Sequence, residues 1–429
     1  MMNKNNFNTL MRKLQFCEHC GFCRSVCPFL EASNMEESVG PRGRKTLFLL
    51  LLEGKVQPTP RLAQKFYMCG VCKACAVKCP QGIDISEISV RARHIIINSN
   101  ALNPFMKKVA ESLVKGVENG DIFGAVSAKT NWAENLNLSK NSEVVLFASC
   151  MDTSMAYGEF LINVLEKFGW AENTLMSLSG LVQKPVINKL FDAILERKSD
   201  FYRKSLVSVV ELLNKLNVKF SYLGDEEPCC GAALHTYGLL DEFTEHTKKV
   251  YKLLKEKGTR RLIFHNPICG GIFKHEYPSY VDGWDIEVKH VLEVIAEAIE
   301  KNGINLRLPE PTKVVFHDPC YLARFMDVVE EPRIVLKTIE NLELIEPPNN
   351  KRETKCCGGG GVELIYRDVA TRVAINRVSE LNTGNPDIIS SCCPVCALLI
   401  KKGIKNLKLN ARYVDIVDLV NKSLNIKSF

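Results

Sequence analysis

The chain has 429 residues, 46% hydrophobic and 24% charged, which is enough apolar material for several cores and excludes a disordered or collagen-like polymer. Its net charge of +7 comes from scattered basic residues with no aromatic-basic stripe, so a nucleic-acid partner is not expected and the charge is read as affinity for a membrane surface. The 18 cysteines are the feature that asks for a chemical explanation.

The N-terminal MMNKNNFNTLMRKLQF holds no apolar stretch of the length a secretory signal needs, so a cytoplasmic protein is expected, at most peripheral on the cytoplasmic face of the membrane. In that reducing compartment clustered cysteines serve as metal ligands rather than disulfides. Two runs follow, CEHCGFCRSVCP from Cys17 to Pro28 and CGVCKACAVKCP from Cys69 to Pro80. Both have the spacing CxxCxxCxxxCP of bacterial two-cluster ferredoxins, in which three thiolates of a run hold one 4Fe-4S cubane and the fourth ligates the other. The spacing therefore assigns Cys17, Cys20, Cys23 and Cys79 to one cluster, and Cys69, Cys72, Cys75 and Cys27 to the second. A pair of structural zinc sites is the alternative, but zinc needs neither the third cysteine nor the duplicated Cys-Pro ending.

Between the runs, VGPRGRKTLFLLLLEGKV predicts a leucine-rich helix after Gly-Pro punctuation, read as a buried core element. Its apolar run, Leu47 to Leu52, is far short of the about 20 residues that cross a bilayer as a helix. Arg42, Arg44 and Lys45 either ease electron entry to nearby clusters or form a solvated helix start. The ferredoxin part is expected over residues 1–95, mostly helical, and a linker rich in Asn, Ser and Lys over 96–142.

The other ten cysteines lie in the rest of the chain, where an internal repeat appears. PCCG at Pro228 and NPIC at Asn266 stand at the same interval as KCCG at Lys355 and CPVC at Cys393. Each copy begins with an apolar, strand-like run closed by a cysteine, VVLFASC at Cys150 and VVFHDPC at Cys320. Two lobes of Rossmann-like α/β character are expected, the first over 143–300 and the second over 314–429, with a linker at 301–313. The first copy is longer by an insertion within FGWAENTLMSLSGLVQKPVINKLFDAILERKSDFYRK, whose apolar spacing predicts two short amphipathic helices that either dock a partner or membrane or cover the local site. At the C-terminus YVDIVDLVNKSLNI has helical periodicity and is expected to pack on the second lobe.

The second copy offers five thiols, Cys320, Cys356, Cys357, Cys393 and Cys396, one more than a cubane needs. Gly358 to Gly361 gives the chain after the Cys-Cys pair access to positive φ and lets backbone N-H groups approach sulfur. The first copy offers only Cys150, Cys229, Cys230 and Cys269, with Asn266 where a fifth thiolate would stand. An amide is a poor donor to iron that prefers sulfur. His265, aligned with Cys392, is another candidate donor.

CGFCRSVCP, GPRGR, CGVCKACAVKCPQGID, LGDEEPCCG, FHDPCYLAR, CCGGGG and CCPVC together resemble the iron-sulfur oxidoreductases that join an N-terminal two-cluster ferredoxin to tandem cysteine-rich CCG domains. That family includes a component of membrane-bound heterodisulfide reductase and the iron-sulfur subunits of anaerobic glycerol-3-phosphate dehydrogenase, glycolate oxidase and lactate-utilisation systems. The resemblance implies a non-cubane 4Fe-4S cluster on the five second-copy cysteines, at which a disulfide is cleaved. For the first copy it implies a degenerate site, leaving open a further cluster, zinc or no metal. It also implies an electron-transfer subunit working with a flavoprotein dehydrogenase or heterodisulfide-reductase-type subunits, with a membrane cytochrome or quinone as further partners. Two rivals stand beside this reading: a catalytic disulfide reductase, and a zinc-stabilised scaffold in which only the ferredoxin is active. His317, Asp318 and Arg324, beside Cys320, are candidates for protonating a leaving thiolate or binding an acidic substrate, against a structural role.

Overall fold

The computed structural model describes residues 11–123, 128–134, 136, 138–139, 142–172, 174 and 185–424. The N-terminal part is helical: α1 (Phe22–Ser25), α2 (Pro28–Glu31), α3 (Pro41–Leu52), α4 (Pro60–Tyr67), α5 (Ala74–Lys78) and α6 (Ile85–Asn98). Local chemistry sets these starts. Thr59 accepts a hydrogen bond from the Leu62 N-H ahead of Pro60, and Asp84 accepts from the N-H groups of Ser86 and Glu87. The leucine-rich α3 buries Phe48 and Leu51, as its pattern predicts. It also buries Arg44, at 1% exposure, and Lys45, so that helix start is not a solvated one.

The segment expected to be a linker, 96–142, holds α7 (Pro104–Glu118), capped by Asn103, and buries Phe105, Met106 and Val109 in the main core. The first lobe then builds a parallel sheet from β1 (Val144–Phe147), β2 (Arg261–Phe264) and β3 (Glu287–His290), in the order β1-β2-β3. Val145 pairs with Leu262 and Leu262 with Val288. Parallel neighbours require crossover connections. Here they contain α8 (Cys150–Lys167), α9 (Pro185–Lys215), α10 (Ala232–Tyr237), α11 (Leu240–Glu256) and α12 (Pro267–Gly271). The part of the insertion from Pro185 onward is helical, as expected, within the 31-residue α9, while residues 173 and 175–184 of that expectation lie outside the described residues.

After α13 (Val291–Asn302), the second lobe has a four-stranded parallel sheet ordered β5-β4-β6-β7, from β4 (Leu306–Phe316), β5 (Ile339–Ile345), β6 (Ile388–Ser391) and β7 (Arg412–Asp415). Strand β4 runs through the stretch expected as an inter-lobe linker and begins by residue 306. Helices α14 (Arg367–Leu381), α15 (Pro394–Leu407) and α16 (Ile416–Ser423) complete the lobe. The C-terminal periodic segment is helical only from Ile416, because Arg412 to Asp415 pair with β6 as a strand, and its last residues lie outside the described ones. Helix α16 also packs on α9 of the first lobe: Asp418 accepts from Ser205 and Ser208, and Asn421 donates to Ser208 O and Glu211. A helical N-terminal region followed by two parallel α/β lobes is thus the expected fold class.

Candidate cluster sites

Cys17, Cys20, Cys23 and Cys79 converge on a cavity of about 70 Å³ that is also lined by His19, Arg42 and Lys45. Cys20 is exposed, so this site reaches the surface. Burial and the neighbouring Cys79, Cys17 and Cys20 push the Cys23 thiol up to about 11. Deeper in, Cys27, Cys69, Cys72 and Cys75 form a second buried group, close enough that Cys75 is raised by burial, Asp84 and the other three thiols. Arg44 lies beside Cys27 and Cys69 and favours their thiolates, and one of its buried Nη atoms has no hydrogen-bond partner. The fourth cysteine of each run therefore sits with the first three of the other.

The remaining sulfurs gather where the two sheets end. Cys150 follows β1, Cys269 follows β2, Cys320 follows β4 and Cys393 follows β6, so each lies at the carboxyl end of a parallel strand, where open α/β sheets place ligands. Helix N-termini meet them there: Cys150 opens α8, Asn266 caps α12 and Cys393 caps α15. The positive end of a helix dipole favours a thiolate. Both carboxyl edges face one cavity of about 190 Å³, whose wall includes all nine cysteines of the two lobes' motifs and is otherwise mainly apolar. That shared cavity is the main thing the sequence did not disclose.

Within the second lobe the thiols form a chain of neighbours: Cys320 and Cys357 flank Cys356, Cys357 lies 3.3 Å from Cys396, and Cys396 neighbours Cys393. Hydrogen bonds from Cys356 and Cys396, assisted by His317, hold Cys357 well below the usual thiol range despite burial. Gly358 donates its N-H to Cys356 Sγ at 3.4 Å, with φ of 108°, as the glycine run predicts. The ferredoxin part comes up against this group, because Cys356 is close enough to Cys72 to raise its thiol well above the ordinary value together with burial. Gly70 and Gly360 make that contact possible: a Cβ on Gly360 would stand 2.4 Å from Gly70 O.

In the first lobe Cys150 neighbours Cys229, Cys229 neighbours Cys230, and Cys230 lies 3.1 Å from Cys269. Asn266 is fully buried but does not line the cavity. Its Oδ1 accepts from the Ile268 N-H at 2.9 Å, which caps α12, and its Nδ2 donates to Ser149 Oγ at 3.1 Å. Ser149 Oγ in turn stands 3.1 Å from Cys269 Sγ. The asparagine thus replaces a thiol with a helix cap that holds a serine hydroxyl against the adjacent cysteine. Ser149 occupies a positive φ of 66°, a conformation unusual for a non-glycine residue.

His265 has both ring nitrogens engaged by carboxylates, Asp152 at 3.1 Å and Asp415 at 3.2 Å, and so is no metal donor. Asp318 is bound by Arg333, and Arg324 donates to the backbone oxygens of Cys72, Arg352 and Thr354, so both are structural. His317 is buried behind Cys357 and Cys396 and does not line the cavity, which removes it as a proton donor to a molecule bound there. Residues that do line it and that sequence reading missed are Glu363, the only carboxylate in the wall among the described residues, and Tyr321. Glu363 Oε2 and the Tyr321 hydroxyl each lack a hydrogen-bond partner. No motif marks either, since only the fold brings them to the cysteines.

The donor sets fit iron-sulfur clusters. Each group packs four or five thiols closer than they can ionise together without a polycationic centre, and the cysteine spacings are those of cluster ligands. The 4Fe-4S dicluster domain family matches residues 13–83, and the cysteine-rich CCG domain family matches residues 193–274 and 314–401. Over 448 residues the chain is 26% identical to one of the subunits of the dihydromethanophenazine:CoB–CoM heterodisulfide reductase of Methanosarcina mazei, covering 99% of this chain and 97% of the relative. It is 23% identical to one of the subunits of the fumarate reductase (CoM/CoB) of Methanothermobacter marburgensis, over 96% of this chain and 72% of that one. Over 237 residues it is also 30% identical to the EtfAB:quinone oxidoreductase of Syntrophomonas wolfei, a match that covers 52% of this chain and 32% of that longer protein.

Proposed function

We propose that this chain, which belongs to the iron-sulfur oxidoreductases joining a 4Fe-4S dicluster domain to paired CCG domains, is an electron-transfer subunit that takes electrons from a partner flavoprotein or cytochrome and delivers them to a small acceptor in the cavity between its lobes. The observation that supports this most is the convergence of both lobes' cysteines on one apolar cavity, with Cys72 of the ferredoxin part beside Cys356 in its wall. Two cubanes, on Cys17, Cys20, Cys23 and Cys79 and on Cys27, Cys69, Cys72 and Cys75, and a non-cubane 4Fe-4S cluster on Cys320, Cys356, Cys357, Cys393 and Cys396 would supply one-electron carriers whose potentials are set by ligation and hydrogen bonds.

The exposed Cys20 makes the outer site the entry for a partner's electrons, and the buried Arg44 offsets the negative charge of the inner one. A disulfide is the acceptor class we favour over a quinone. Its cleavage needs two electrons and two protons and releases two thiols, and the cavity brings sulfur ligands from both lobes to the same small volume. The apolar wall excludes water, while Glu363 and Tyr321 are placed to hold the protons. The first lobe, with four thiols, Asn266 and a serine hydroxyl, is the supporting half, holding either a four-cysteine centre or zinc.

Iron, acid-labile sulfide and zinc per chain on anaerobically purified protein, with EPR of both redox states, test the reading. About twelve to sixteen irons, three or four tetranuclear clusters with one thiol-sensitive signal, are expected, and the reduced protein should cleave a small disulfide with an artificial donor. About eight irons with stoichiometric zinc would instead make the lobes a scaffold.

A further inference from the structure

His317 directly follows β4, three residues before Cys320, and is 1% exposed. Its backbone is fixed, with the N-H donating to Ser390 O at 2.8 Å and the carbonyl accepting from Ser391 Oγ at 3.0 Å. Its Nδ1 lies 3.2 Å from Arg377 Nε, and Arg377, itself 1% exposed, is held by Thr354 Oγ1 at 3.1 Å and Glu380 at 3.0 Å. An arginine N-H can only donate, so Nδ1 accepts and carries no proton. The ring proton is therefore on Nε2. That nitrogen is buried with no hydrogen-bond partner, and the imidazole forms with the sulfurs of Cys357 and Cys396 a group whose ligand atoms, one from each residue, are all within 4.8 Å of one another.

A protonated nitrogen cannot bind iron, and one that does not face the cavity cannot serve a bound substrate. What remains is donation to sulfur. We propose that His317, oriented by Arg377, is a positioning residue that donates its Nε2-H to the cysteine sulfurs of the second-lobe centre and raises that centre's reduction potential. A donor to sulfur stabilises the state with the greater negative charge, which is the reduced one. The first lobe has no histidine there: Phe147 occupies the same place three residues before Cys150, packed on Phe264 and Phe273 at ring distances of 5.1 and 5.3 Å, and the polar group against sulfur is instead Ser149 Oγ, 3.1 Å from Cys269. The two lobes therefore differ in the group set against their sulfurs, an imidazole in the second and a serine hydroxyl in the first. This inference rests on the cysteines holding iron-sulfur centres.

The test is pulsed EPR on the unaltered, cluster-loaded protein labelled with ¹⁵N-histidine, combined with redox titration of His317→Leu and His317→Gln. Expected are a weakly coupled nitrogen with an exchangeable proton, lost in His317→Leu. The second-lobe signal of that variant should be about tenfold harder to reduce, about 59 mV for a one-electron step, with ferredoxin signals unmoved. His317→Gln, which keeps an N-H, should recover part of the shift. A strongly coupled nitrogen in the unaltered protein would overturn the proposal in favour of ligation. So would an unchanged midpoint in iron-replete His317→Leu. A protein with only about eight irons per chain fails at the underlying reading instead, which the iron count shows before any midpoint is measured.

Discussion

At Asn266 a single substitution within a repeated motif changes what the residue does. Cysteine at the equivalent Cys393 caps its helix without a side-chain hydrogen bond and faces the cavity, whereas asparagine spends both ends of its amide on Ile268 N and Ser149 Oγ. Asn266→Ala should cost at least about 1 kcal/mol in chemical denaturation, the usual loss for an N-cap, and leave Ser149 without its donor. Glu363 supports a pH prediction. Burial, with the negative charge of Cys357 adding to it, pushes its carboxyl up to about 7. It is neutral and able to donate a proton below that pH and ionised above it. Disulfide cleavage by the reduced protein should therefore decline as pH rises through about 7, and Glu363→Gln should be slow throughout and lose that descending limb.

Among elements, the glycine loop after Cys357 shows how close approach, not flexibility, can demand a glycine. Gly360 has φ of 84° and would drive a Cβ into the Gly70 carbonyl of the ferredoxin part. Gly360→Ala should push the two loops apart, lowering thermal stability by more than about 1 kcal/mol. It should also slow reduction of the second-lobe centre from the ferredoxin side in stopped-flow spectroscopy, with iron content retained. Strand ends and helix starts do the opposite work, bringing the cysteines together: in each lobe the strand, the turn and the helix N-terminus fix the sulfur before any metal is bound. The α9 insertion belongs to this scale as well, since its helix from Pro185 onward bridges to α16 of the second lobe.

Across the whole molecule, the lobes are joined by charge as well as by apolar packing. His265 of the first lobe sits between Asp152 and Asp415, the latter from β7 of the second. Burial alone would lower its pKa, but Asp415 and Asp152 together raise it well above the ordinary histidine value. A histidine raised on folding contributes stability that is complete below its unfolded pKa, near about 6.5, and is lost as pH rises through the higher folded value. Denaturation midpoints should therefore fall on the alkaline side, and His265→Ala, which leaves two buried carboxylates uncompensated, should cost about 3 kcal/mol or more. Among the described residues no helix is long and apolar enough to cross a membrane.

The chemistry was legible before any fold was known, because cysteine spacing repeats along the chain and ligand grouping in a ferredoxin run depends on local intervals that a reader can count. The strands that precede Cys150 and Cys320, the helix at Leu47 to Leu52 and the positive φ of Gly358, Gly360 and Gly361 were likewise readable, since hydrophobic period and glycine act over a few residues. Packing of the two sheets was needed to bring both lobes to one cavity, to set Glu363 and Tyr321 in its wall with His317 behind it, and to turn Asn266 toward Ser149. Those relations join residues tens to hundreds of positions apart, and no local pattern encodes which strand ends will face each other once two sheets have packed.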